Sequence, residues 1–254
     1  MHLFLTNDDG IFANGLRALV GAALRAGHRV SVFAPDSQRS AASHAITLDR
    51  PLHARRVEMP GARAWAVDGT PADCARLGLY ILRDDLPDVV VSGVNNGANR
   101  GAGVMYSGTV GAALEGALCG RQGVAVSLCG NLDRDFELAA ALGVRTAEWA
   151  AAHPLPRGEI YSLNVPYGAR IRGLRAARLS NEYISTPQYV ETDGAYHLGQ
   201  GTDVPPETDD MSDLLLTRAG FATLSIVGWN MLAATELPPL GELEAEFQRD
   251  AKPD

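Results

Sequence analysis

His2-Leu3-Phe4-Leu5-Thr6-Asn7-Asp8-Asp9-Gly10 opens the chain with a short apolar strand that runs straight into two adjacent carboxylates and a glycine. Neighbouring carboxylates repel each other, so an acidic pair at a strand end calls for a neutralising charge. A hard divalent cation supplies it and prefers oxygen ligands. The same four residues, Asn7 to Gly10, also suit an ordinary solvated turn. Their place after a buried strand favours a site.

The chain then alternates strand and helix. Asn14 to Arg25 carries Leu16, Leu19, Val20, Ala23 and Leu24 at helical spacing, and Gly27 closes that helix. Arg29 to Ala34 is a second strand, stopped by Pro35-Asp36. Pro71 to Leu82 is helical, with proline in the first turn. Val89-Val90-Val91, within Asp88 to Ser92, is of the fully buried strand type. Thr109 to Cys119 reads as a helix, Val124 to Leu128 as a strand, Phe136 to Ala151 as a helix and Glu159 to Val165 as a strand. Such alternation predicts an α/β fold: a mostly parallel sheet with helices on both faces. Ligands in these sheets sit beyond the carboxyl ends of the strands, where Asp8-Asp9, the loop after Ala34 and Ser92 to Asn95 all fall.

Two segments break the pattern. Thr47 to Asp68 predicts a hairpin turning near Pro60-Gly61. Arg172 to Leu198, with Tyr183, Tyr189 and Tyr196, predicts strands or a long hairpin. Gly199 to Asp213 reads as a loop, Gly220 to Val227 as a last strand and Glu242 to Arg249 as a terminal helix. We therefore expect a catalytic core over residues 1–170 and a β-rich C-terminal extension over 171–254 that serves oligomerisation.

Composition removes several classes. The only lysine is Lys252, which leaves none for a P-loop or an internal Schiff base. A net charge of -8 argues against a nucleic-acid polymer as partner. Three scattered cysteines, Cys74, Cys119 and Cys129, suggest neither a disulfide framework nor a zinc knuckle. No apolar run approaches the roughly 20 residues of a membrane helix, and no signal-peptide pattern opens the chain. The expectation is a cytoplasmic protein with no membrane partner.

Three further stretches complete the candidate site. In Arg39-Ser40-Ala41-Ala42-Ser43-His44, small residues leave amides open to an anion, Ser40 offers a hydroxyl ligand, and His44 is placed to transfer a proton or to serve as a structural histidine. Ser92-Gly93-Val94-Asn95-Asn96-Gly97-Ala98-Asn99-Arg100-Gly101 puts three asparagine carbonyls among glycines. Tyr106-Ser107-Gly108-Thr109-Val110-Gly111 opens a helix whose amides and hydroxyls suit a phosphate, with Ser107 or Thr109 as its N-cap. Together these describe an oxygen-only metal site beside phosphate-binding amides, and the inferred reaction is hydrolysis of a phosphate ester. The metal would polarise phosphoryl oxygens and acidify the attacking water; either Asp8 or Asp9 would orient or deprotonate that water. Two other readings use the same features: a non-enzymatic nucleotide-binding or signalling module with a regulatory metal, and a glycosyltransferase-like enzyme.

The ordered blocks Thr6-Asn7-Asp8-Asp9-Gly10, Ala34-Pro35-Asp36 through Arg39-Ser40-Ala41, Gly69-Thr70-Pro71-Ala72-Asp73-Cys74, Ser92-Gly93-Val94-Asn95 and Ser107-Gly108-Thr109-Val110 resemble the SurE family of survival proteins, strongly over residues 1–130. The resemblance implies hydrolysis of nucleoside 5′- and 3′-monophosphates, with short polyphosphate as a further substrate. It implies a Rossmann-like core with one Mn²⁺ or Mg²⁺ per subunit, held by Asp8, Asp9, Ser40 and Asn95, in a homodimer or homotetramer that exchanges its C-terminal extension. Asn96, Asn99, Ser43, His44, Ser107, Gly108 and Thr109 are the expected substrate contacts. The chain departs from the family pattern at Ala42-Ser43-His44-Ala45, at Ala98, and around Gly228-Trp229-Asn230.

Overall fold

Every residue of the first strand, β1 (His2–Thr6), is buried, because the sheet is covered on both sides. Leu3 and Leu5 face one layer and Phe4 the other, as the two-residue period of a strand requires. A computed structural model of the protein describes residues 1–130, 135–168, 170–182, 186–199 and 201–230.

β1 pairs in parallel with β2 (Arg29–Pro35) and, on its other side, with β5 (Val89–Asn96). The parallel set runs β4 (Arg63–Val67), β2, β1, β5, β6 (Gln122–Cys129), β7 (Glu159–Pro166). β3 (Ala54–Val57) lies antiparallel on β4, making the predicted hairpin across Pro60-Gly61. At the far edge β11 (Ala222–Gly228) pairs antiparallel with β7, and β8 (Leu174–Ala176) adds in parallel to β11. The nine strands form one sheet. β9 (Tyr189–Thr192) and β10 (Ala195–Leu198) form a separate hairpin.

Helices α1 (Asn14–Arg25) and α4 (Glu137–Ala152) cover one face. Leu16, Leu19, Val20 and Ala23 of α1 bury against Leu3, Leu5, Val30, Val89 and Val91. Helix α1 ends where Gly27 takes a left-handed φ of 79° and the amide of His28 reaches back to the Ala23 carbonyl at 3.1 Å. Helices α2 (Pro71–Ile81) and α3 (Gly108–Leu118) cover the other face. There Phe4, Phe33 and Trp65 stack in sequence with centroids 5.4 and 4.3 Å apart, and the bare Gly78 of α2 lets the helix come down onto the Phe4 ring.

The chain leaving β1 enters α1 on one face, whereas the chain leaving β5 enters α3 on the other. The loops above these adjacent strands therefore part and open a crevice, the switch point where open α/β sheets bind ligands. The expected helix at Glu242 to Arg249 and the residue Tyr183 lie outside the described residues. The described part of the segment expected as loop through Asp213 carries no helix or strand up to Ser212, and a short helix that the sequence reading did not include, α5 (Asp213–Arg218), follows, capped by Ser212 accepting the Leu215 amide.

Candidate active site

The acidic pair is presented by a turn that Asn7 builds. Its buried amide accepts from the Gly10 N–H at 3.2 Å and donates to the Gly10 carbonyl at 3.0 Å. Gly10 holds φ at 104°, a value that costs a residue with a Cβ. The turn is tied sideways to the β2 loop, since the Arg39 amide donates to the Asp8 carbonyl at 2.7 Å and the Ile11 amide to the Pro35 carbonyl at 2.8 Å.

Asp8 is 5% exposed. Its carboxylate accepts the Thr109 hydroxyl at 2.5 Å from the first turn of α3. Gly108 makes that approach possible, because a Cβ there would sit 2.9 Å from the Asp8 Cβ. Burial pushes the Asp8 carboxyl up to about 6; the Thr109 hydroxyl pulls it down and the Asp9 charge pushes it up again. Asp9 accepts the Asn96 amide N–H at 3.2 Å.

The loop carrying Ser40 is anchored on the α3 side. Ser43 donates to the Met105 carbonyl at 2.6 Å, and its own amide donates to the Tyr106 carbonyl at 3.1 Å. His44 pairs through Nε2 with the buried Glu115 of α3 at 3.0 Å, and Arg76 of α2 meets the other Glu115 oxygen at 3.0 Å. The His44 hydrogen bond outweighs burial and, with the Arg76 charge, holds Glu115 below the usual carboxylate range. Ser40 itself is exposed and accepts the Gln38 side-chain amide at 2.9 Å.

The third loop follows a register shift in β5 between Ser92 and Asn95, a device that re-aims side chains near sites. Asn95 donates to the Gly97 carbonyl at 2.9 Å. Asn99 is locked from two sides: its amide donates to Asn164 Oδ1 at 2.9 Å and its side chain to Ser127 Oγ at 2.8 Å. The C-terminal extension holds the end of the loop, where buried Asp213 accepts the amides of Gly101 and Ser180, each at 3.0 Å. The three loops enclose a cavity of about 280 Å³.

The comparisons with known proteins bear on this arrangement. A family model described as "Survival protein SurE" matches residues 3–186. The chain belongs to the SurE family. It is 38% identical to a protein named 5′-nucleotidase SurE from Gloeobacter violaceus, over 96% of this chain and 95% of that one. It is 46% identical to a protein of the same name from Synechococcus sp. (strain CC9311), over 65% of this chain and 64% of that one. Among solved structures, the SurE protein from Aquifex aeolicus superposes with a TM-score of 0.78 at 27% identity, covering 99% of this chain and all of that one.

In this SurE chain the cavity brings together Asp8, Asp9, Ser40, Asn95, Asn96, Asn99 and Ser107. Four other residues expected at the site stand outside its lining. Thr109 is fully buried with its hydroxyl on Asp8, and Gly108 packs against Asp8. Ser43 and His44 are committed to Met105 and Glu115. Ser107 caps α3 through the Val110 amide at 3.1 Å. Gln38, Gly103 and Tyr106 line the cavity as well. Gln38 sits inside the Pro35 to Ala41 block, so its place in that motif was the available signal; Tyr106 directly precedes the Ser107 block.

The donor set fits a hard cation. Among the described residues two carboxylates line the cavity, every other lining side chain with a polar atom is an amide or a hydroxyl, and none is basic. Asn96 Oδ1 is buried with no hydrogen-bond partner among the described residues. The side-chain donor to Asp8 is a neutral hydroxyl rather than a cation. Among the described residues no cluster of three or more His, Cys, Asp or Glu side chains is poised for a metal, so the candidate site rests on the acidic pair plus neutral oxygens, the ligand type of Mg²⁺ and Mn²⁺.

Proposed function

We propose that this chain is a divalent-metal-dependent phosphatase that hydrolyses nucleoside 5′- and 3′-monophosphates to nucleoside and inorganic phosphate, with short polyphosphate as a further substrate. One observation carries the reading: a cavity whose lining among the described residues holds two carboxylates and no basic side chain would repel a phosphate dianion unless a cation sat between them. The names of the relatives, 5′-nucleotidase SurE, support the nucleotide as the substrate class.

Asp8, Asp9, Ser40 and Asn95 are the residues that would hold Mn²⁺ or Mg²⁺. When bound, the cation supplies positive charge to the phosphoryl oxygens and lowers the pKa of the attacking water. Asp8 is fixed for the ligand role by the Thr109 hydroxyl. Asp9, which lines the cavity and is steadied by the Asn96 amide, orients the water and accepts its proton. The water oxygen bonds to phosphorus, the P–O ester bond breaks, the ribose oxygen leaves and takes a proton from solvent, and Asp9 releases to solvent the proton it accepted.

The division into a core over 1–170 and an extension over 171–254 belongs to the same proposal, with the β9–β10 hairpin as the contact that builds a homodimer or homotetramer. Its exposed Tyr189, Val190, Tyr196 and Leu198 support that role. The catalytic reading is tested by phosphate release from a panel of nucleoside monophosphates with Mn²⁺, with Mg²⁺ and with EDTA. Release that requires either metal is the expected result. Release that EDTA leaves untouched would reject the cation.

A further inference from the structure

Two cavities flank the reaction cavity, and they differ in what separates them from it. Toward α1 and α4 lies a space of about 300 Å³ rimmed by Phe12, divided from the reaction cavity by Asp9, Gln38 and Asn96. That partition is built of a carboxylate and two amides. Along the sheet, above the ends of β6 and β7, lies a larger space of about 540 Å³. Among the described residues its shared wall is Gly97 and Ala98. A Cβ placed on Gly97 would meet just the Asn95 amide nitrogen, at 3.7 Å, so the wall is low and open.

We infer that the nucleoside part of the substrate seats in this second space, with its base against the ring of Tyr167 and its polar edge toward Arg218. The inference rests on the hydrolase reading given above. The size suits a group of this kind, since small-molecule sites run from about 300 to 1,000 Å³. Tyr167 offers an aromatic surface 43% open to solvent, and every base has a face that stacks on such a ring. Gly130 leaves room for it, because a Cβ there would lie 2.6 Å from the Tyr167 Cβ. Arg100 shapes the floor without being free to wander: it donates to Thr217 Oγ1 at 2.7 Å and pairs with Glu182 at 2.9 Å. Arg218, the exposed last residue of α5, brings a flexible donor to the rim. The C-terminal extension thus supplies one side of the subsite, through α5, while the parallel core supplies the other.

The test is the ratio of kcat/KM for adenosine 5′-monophosphate to that for ribose 5-phosphate, measured with Mn²⁺. Losing base stacking costs about 1–3 kcal/mol, so Tyr167→Ala should lower this ratio by about tenfold, chiefly through KM for the nucleotide. Tyr167→Leu, which keeps apolar bulk, should lower it in the same sense and covers the case in which the alanine variant does not fold. Phe12→Ala, at the rim of the other flanking cavity, should leave the ratio unchanged. A ratio within twofold of the unaltered chain in both Tyr167 variants, or a loss confined to Phe12→Ala, would overturn the assignment while the hydrolase stood. Absence of phosphate release from both substrates by the unaltered chain would instead remove the hydrolase reading.

Discussion

The crevice above β1 and β5 and the β9–β10 hairpin are built on opposite terms. In the crevice Asn7, Asp8, Asn99 and Thr109 are buried; Asn7 is held within its own turn by Gly10, while Asp8, Asn99 and Thr109 are held by hydrogen bonds to partners far along the chain. In the hairpin all eight strand residues are exposed, and Tyr189, Tyr196 and Leu198 are each more than 60% open. An isolated two-stranded hairpin is marginal in water. The first region is determined within one chain, and its cost is a crowded acidic pair. The second presents exposed apolar surface, as suits a contact between chains.

The sharpest way to break this contrast is to discharge the acidic pair. Asp8→Asn should lower kcat by on the order of a thousandfold, since several kcal/mol of transition-state stabilisation go with the cation. Steady-state phosphate release at saturating Mn²⁺ checks it, and near-normal turnover would detach catalysis from the crevice. Next comes the group behind the carboxylate. Thr109→Val removes the hydroxyl on Asp8 and should weaken Mn²⁺ binding by about 10- to 100-fold, read by calorimetric titration of the metal alone. Smaller again is the hairpin. Val190→Glu with Tyr196→Glu should reduce the mass seen by light scattering to that of a smaller assembly or a single chain, with the circular dichroism of the core retained and activity lowered only a few-fold. An unchanged mass would show that the exposed strands are not the assembly contact.

The smallest effect concerns how the second loop is carried. Asp73 caps α2 with Thr70, and its carboxylate also accepts the Thr47 amide and hydroxyl at 3.0 and 2.6 Å. Burial raises its pKa, but these hydrogen bonds prevail and hold it below 3.8. A depressed folded pKa means the contribution is fully present above the unfolded value and is lost as pH falls through the folded one. Asp73→Ala should therefore cost about 1–2 kcal/mol of stability at neutral pH, with kcat little changed. Denaturant unfolding should show that difference shrinking below about pH 3.8, the ordinary carboxylate range.

Much of this is legible in the amino-acid sequence. The spacing of Leu16, Leu19, Val20 and Ala23 predicts a helix over Asn14 to Arg25, the span observed. Val89-Val90-Val91 marks a strand buried on both faces, as found. The acidic pair, Ser40, Asn95 and Asn96 converge because strand-end motifs in a parallel sheet must share one edge. What stayed hidden depends on contacts distant in sequence. Thr109 is 101 residues from the Asp8 it serves, and His44 is 71 from Glu115, so local pattern could not tell a phosphate ligand from a support. β8 and α5 are too short to show a period. The boundary drawn at residue 170 is likewise a local reading, whereas β8 and β11 continue the main sheet beyond it.

The proposed chemistry depends on a cation shared by neighbouring carboxylates. Anomalous diffraction from crystals grown with manganese tests it most directly. A peak lying between the Asp8 and Asp9 carboxylates, with Ser40 and Asn95 around it, is the predicted result. Density for both side chains with no anomalous peak at the pair, in crystals that bind manganese elsewhere, would contradict it.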